Sequence, residues 1–99
     1  MKEIIDNINK IFESRVRLGI MSILAVNDGT DFNTLKEMLD VTDGNLASHI
    51  NALEKEKLIK IKKKFVGKKT NTSYLITETG RKTFKEHLSA LEKLIKNHT

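Results

Sequence analysis

The spacing of the apolar residues changes at Leu58. Upstream of it, Leu46, Ile50 and Leu53 recur at i, i+4 and i+7, the stripe of an amphipathic helix. Downstream, Leu58, Lys60, Lys62 and Lys64 alternate with Ile59, Ile61, Lys63 and Phe65, the period of a strand. A Gly-containing polar stretch from Val66 to about Asn71 leads into "TSYLIT". The strand is therefore expected to return as an antiparallel hairpin over 58–77. Its loop is expected to be longer than two residues and to project as a flexible basic tip. A helix that runs within a few residues into a hairpin leaves few folds open to a chain of 99 residues.

The flanking segments are helical. Ile4, Ile5, Ile8, Ile11 and Phe12, at three- and four-residue spacing, predict one N-terminal helix over 1–13. A second, from Arg15 to Val26, carries Val16, Leu18, Ile20, Ile23 and Leu24 and stops at the turn signal "NDG". Thr30-Asp31-Phe32 reads as a short extended link, and Asn33 as the N-cap of a third helix bearing Leu35, Met38 and Leu39. Thr42 is suited to cap the fourth. So few residues separate Leu39 from Thr42 that these two helices must pack closely at a steep angle, a helix-turn-helix over 33–56. Thr77 is a further cap, opening a helix over 78–97 whose apolar positions are Phe84, Leu88, Leu91, Leu94 and Ile95.

One domain of this size has little core left to cover that last stripe. Leu88, Leu91, Leu94 and Ile95, together with Ile4, Ile8, Ile11 and Phe12, are accordingly expected to form a homodimer interface.

Charge is localised. Lys57 to Lys69 holds seven lysines and no acid, while the remainder, with 11 basic and 13 acidic side chains, is slightly negative. The net charge of +5 thus belongs to one patch, which suits a polyanionic partner. The longest apolar run, Leu18 to Val26, is shorter than the roughly 20 residues of a bilayer span. No export signal stands at the N-terminus, so the expected location is the cytoplasm; the absence of cysteine excludes disulfides and thiolate metal sites and is neutral about compartment.

Helix, helix, turn, helix, hairpin, helix is the winged helix-turn-helix order, and particular residues agree with it. "NLASHINALEKEKLI" resembles the recognition-helix phrase of small prokaryotic winged-helix regulators allied to the MarR and ArsR families, and "YLITETGR" resembles their exit from the wing. The likeness covers roughly Arg15 to Arg81. It implies a mainly α single domain with a small β-hairpin wing and a role as a sequence-specific, double-stranded DNA-binding transcription regulator. Many relatives carry Gly at the position of Lys57, so a lysine there must accept or avoid a left-handed backbone.

With Leu46, Ile50 and Leu53 inward, Gly44, Ser48, Asn51 and Lys55 point outward, Asn45 and Ala52 lie beside them and His49 sits on the flank. A helix in the major groove presents its N-terminal half to base edges. Asn45 and Ser48, then His49 and Asn51, are the expected base contacts. Asn suits adenine, and Ser suits several base edges. Thr42, Lys55, Lys60, Lys62, Lys63, Lys64, Lys68 and Lys69 are the expected backbone contacts, which supply affinity without sequence information. Lys63 shares a strand face with Ile61 and Phe65 and is placed to lean across the sheet. Asp43 is expected to serve the helix dipole.

The three histidines invite a metal reading. His87 and His98 have the separation of a histidine pair in ArsR-type sensors, but Lys85 stands where an acid is expected and the final acid is missing. Two imidazoles make a poor zinc site, so no metal or cofactor is expected and these histidines are assigned to a polar surface. No cysteine nucleophile, Gly-rich phosphate loop or acid–base pair at convincing spacing suggests an enzyme. The competing reading is a protein–protein interaction module that sets its basic wing on an acidic partner. A small-molecule effector, unidentified by the sequence, would have to sit at the dimer interface or between helix and wing.

Overall fold

The computed structural model describes residues 1–96. Its elements are α1 (Lys2–Asp6), a 3-10 turn (Lys10–Phe12), α2 (Arg15–Val26), β1 (Thr30–Asp31), α3 (Phe32–Leu39), α4 (Asp43–Lys55), β2 (Ile59–Val66), β3 (Lys69–Ile76) and α5 (Glu78–Lys96). His98, and the Asn97 end of the expected last helix, lie outside the described residues.

The expected N-terminal helix is broken. Asn9 takes an extended conformation and its Oδ1 accepts the Ile11 N–H at 3.0 Å, so the side chain satisfies a donor that a continuing helix would have used. The break turns Phe12 into the chain's own core, where it is 1% exposed. Phe12 is thus a core residue and not part of a dimer interface. Its ring meets Phe84 edge-on with centroids 5.5 Å apart.

α2 begins at Ser14, whose Oγ accepts the Arg17 N–H, and buries Ile20, Met21 and Leu24. The extended link after it is a third strand: Thr30 pairs with Tyr74 and Asp31 with Ser73, giving an antiparallel sheet of order β1-β3-β2. Asp31, not Asn33, caps α3. Its Oδ1 accepts the Thr34 N–H at 2.7 Å, and that bond holds its carboxyl below the usual value. Strand pairing fixes Asp31 in the extended conformation an N-cap requires, which the sequence pattern does not show.

Two left-handed residues shape the centre. Asp40, at φ 51°, makes the turn between α3 and α4, and Lys57, at φ 61°, makes the turn into the wing. Lysine thus accepts the conformation that glycine adopts without strain. Thr77 then locks the wing's base: its hydroxyl lies 2.7 Å from the Lys57 carbonyl and accepts the Gly80 N–H at 2.8 Å. Gly80 itself sits so close to the Leu58 carbonyl that any Cβ would collide with it.

Val66 pairs with Lys69, so the hairpin loop is only Gly67 and Lys68. The expected longer tip is therefore incorrect. Gly67, at φ 66°, occupies the first central position, where a type II′ turn places glycine, and the ladder can continue to the end. The core joins Leu24, Leu35, Leu46, Ile50, Leu53, Leu58, Ile59 and Phe84 beneath the helix-turn-helix. Wing and α5 extend beyond it, giving dimensions of 56 × 26 × 21 Å.

Candidate nucleic-acid interface

α4 is held by one face and open on the other. Leu46 and Leu53 are fully buried and Ile50 nearly so. Burying three such side chains is worth roughly 1.5–3 kcal/mol each, so the helix is firmly seated. Gly44, Asn45, Ser48, Asn51 and Lys55 are outside the core on the remaining surface of the helix, and all five are exposed. Of the four expected base readers, three are therefore open to a partner. The fourth, His49, is engaged: its Nδ1 accepts a hydrogen bond from Nε of Arg17 at 3.0 Å. Burial, and then the Arg17 charge, push its pKa below the ordinary value.

The start of α4 is capped by Thr42, whose Oγ1 accepts the Asn45 N–H at 3.2 Å. The threonine remains exposed and its hydroxyl proton is available to a phosphate oxygen. Asp43 also pairs with Lys36 at 2.8 Å, an exposed ion pair of little energetic weight. Arg15 lines the same cleft as Thr42 and Asn45, at the start of α2. It adds an exposed cation that the apolar pattern of α2 gives no reason to single out.

Strand register sorts the lysines. Lys60, Lys62 and Lys64 share a face with Leu75, Ser73 and Asn71. Lys63 lies on the other face with Ile61, Phe65, Tyr74 and Thr72, as its position in the alternation predicts. Lys68 is in the turn and Lys69 lies across from Val66. All six are exposed, and the wing from Lys60 to Lys69 carries positive charge on both faces and at its tip. Phe65 is 81% exposed among these lysines, although its period marks it as an ordinary strand residue.

The terminal surfaces are mixed. Ile4, Ile8, Ile11, Leu91 and Leu94 are half-buried within the chain, whereas Leu88 and Ile95 on α5 and Ile5 on α1 are exposed. α1 lies against α5. A cleft of about 510 Å³ between them is lined by Ile4, Lys82, Lys85, Ala90 and Lys93.

His87 is not on a polar surface. It is 3% exposed, its Nδ1 accepts the Asn9 N–H at 3.1 Å, and its ring lies 5.1 Å from that of Phe12. Burial lowers its pKa, partly offset by Glu13, so it is a neutral core histidine. Helical spacing places it in register but cannot show that the 3-10 turn covers it. Among the described residues no three His, Asp or Glu side chains gather as metal ligands, and no helix is long and apolar enough to cross a membrane.

Comparison with known proteins agrees with this geometry. The family model for a winged helix DNA-binding domain matches residues 16–95. An uncharacterised protein of Methanocaldococcus jannaschii is 39% identical over 88 residues, spanning 89% of this chain and 96% of its own. A transcriptional regulator homologue from Pyrococcus horikoshii OT3 superposes with a TM-score of 0.83 at 36% identity, over 97% of this chain and 93% of that one. A zinc-responsive MarR family member of Lactococcus lactis shares the fold at a TM-score of 0.67 and 19% identity, over 91% of this chain and 61% of its own. A polar helix seated beside a basic β-hairpin fits these likenesses, and the chain belongs to the winged helix DNA-binding domain family, as a DNA-binding transcription regulator of MarR-like fold.

Proposed function

We propose that the protein binds duplex DNA as a homodimer, with α4 of each protomer in a major groove and the lysine-rich wing on the flanking backbone. The observation that carries this reading is the pairing of an α4 surface bearing Asn45, Ser48 and Asn51 with a hairpin that has no acid between Lys60 and Lys69. Base edges are read by Asn45, Ser48, His49 and Asn51. Phosphates are held by Thr42, Lys55, Lys60, Lys62, Lys63, Lys64, Lys68 and Lys69.

The dimer forms through the exposed Leu88 and Ile95 of α5 with the half-buried Leu91 and Leu94, flanked by the half-buried Ile4, Ile8 and Ile11 of the N-terminal segment. A two-fold protein then calls for a pseudo-palindromic site with half-sites one helical turn apart or a multiple of it. Space for an effector exists in the cleft between α1 and α5, beside that surface.

Electrophoretic mobility across a salt series, with duplexes selected from a random pool and with random duplex, tests the reading. If about four to six phosphates are neutralised per protomer, log affinity falls against log salt with a slope near −0.9 per phosphate. No binding at low salt, or binding indifferent to salt, would overturn DNA recognition in favour of a protein-binding wing. Selected sequences without two-fold symmetry would overturn the dimer.

A further inference from the structure

Arg17 grips two elements at once. Its Nε donates to Nδ1 of His49 at 3.0 Å, and its Nη1 donates to the carbonyl of Ile11 at 3.2 Å. A guanidinium has no acceptor and stays protonated in proteins. Nδ1 of His49 must therefore present its lone pair, and the single ring proton of the neutral imidazole is on Nε2. The bond to Ile11 anchors the guanidinium on the 3-10 turn, so its direction toward His49 is held by the backbone.

We propose that Arg17 is a positioning residue that makes His49 a one-way hydrogen-bond donor, so that at this point α4 reads a base-edge acceptor. The inference rests on α4 facing DNA and adds which chemistry that flank of the helix selects. An unconstrained neutral histidine exchanges between tautomers and can present a donor or an acceptor. Held by Arg17, His49 offers only Nε2–H. In the major groove guanine offers N7 and O6, adenine N7 and thymine O4, whereas cytosine presents only its N4 donors. The base pair facing His49 is therefore read as acceptor against donor, with guanine favoured and cytosine rejected. Partial burial beside a cation disfavours the charged imidazolium, which keeps the donor-only form in place at neutral pH.

Two measurements on the full chain test this. Long-range proton–nitrogen NMR of the free protein, with His49 assigned through His49→Gln, is expected to show the proton on Nε2 alone, and a tautomer mixture in Arg17→Ala. Selection from a random duplex pool is expected to show the preference at one base pair per half-site falling about two- to tenfold in Arg17→Ala, the range of one net hydrogen bond. Preferences elsewhere and the salt dependence should not move. Arg17→Lys, whose ammonium can still donate to Nδ1, should restore both tautomer and preference.

A wild-type His49 with its proton on Nδ1, or exchanging between sites, overturns the proposal even if Arg17→Ala does not fold. An unchanged preference in folded Arg17→Ala overturns the reading role, and a uniform loss across all sequences with a shallower salt slope marks Arg17 as a phosphate ligand instead. If wild-type protein binds no duplex at low salt, the DNA reading fails and the reader role with it. The tautomer remains measurable in the free protein, so the two failures are distinguishable.

Discussion

α4 and the wing, the two elements proposed to meet DNA, are built on opposite physics. α4 gives one side to the core through Leu46, Ile50 and Leu53 and keeps a nearly uncharged polar side outward. The wing strand β2, beyond Ile59, has no buried residue and offers mostly lysine. A reader of base edges must be placed to a fraction of an ångström, because hydrogen bonds are directional. A holder of phosphates need only be near, because Coulomb attraction falls slowly with distance. The firmly seated element is therefore nearly neutral, and the charged one is loosely seated.

The largest expected contrast is in stability. Leu53→Ala should cost about 2–5 kcal/mol by leaving a cavity under α4, while Phe65→Ala at the wing's end should stay within about 0.5 kcal/mol. Urea denaturation of both variants measures it, and a costly Phe65→Ala would mean that the wing packs on something.

The next contrast is in recognition. Asn45→Ala and Ser48→Ala should each reduce discrimination between selected and random duplex by about 1–3 kcal/mol if they meet base edges, with the salt slope unchanged. Lys62→Ala combined with Lys64→Ala should weaken binding to every sequence and make the slope shallower by about 0.9 for each phosphate no longer neutralised. Equal effects of the two sets on discrimination and slope would erase the distinction between reader and holder.

A smaller effect is expected at the helix cap. Thr42→Ala removes the acceptor for the Asn45 N–H and should cost about 1 kcal/mol, with Thr42→Ser restoring most of it. Denaturation midpoints of the two variants check this.

The smallest concerns pH, away from both regions. His87 has a folded pKa below its unfolded value, so the unfolded chain binds the proton more readily. Its contribution to stability is complete above about 6.5, the unfolded value, and declines as pH falls through that value toward the lower folded one. The wild-type protein should lose more stability over that interval than His87→Gln, as read from denaturation midpoints. Parallel pH profiles would show that His87 is not kept neutral by its burial.

Much of the architecture is legible in the chain. Apolar spacing locates α2, α4 and α5, and the change of period at Leu58 locates the wing. Thr42 and Thr77 read correctly as caps, because capping is a local bond between a side chain and a backbone group three residues on. The departures share a different cause. Phe12 continues the spacing of Ile4 and Ile8, and only the capping bond of Asn9 turns it inward. Polar residues around Gly67 resemble a loop as much as a ladder, so periodicity alone makes the wing's turn too long.

The sequence by itself determined the order of the main helices and the hairpin, the polar outward side of α4 and the concentration of net positive charge in the wing, all of which follow from residue type and short-range periodicity. Tertiary structure alone decided that Asn9 meets His87 across 78 residues, that Arg17 meets His49 across 32, and that Thr30 pairs with Tyr74. Pairings of that separation leave no periodic trace, since each depends on how whole elements pack and on which backbone groups remain unpaired when they do. One of them, Arg17 with His49, fixes Nδ1 of that histidine as a hydrogen-bond acceptor.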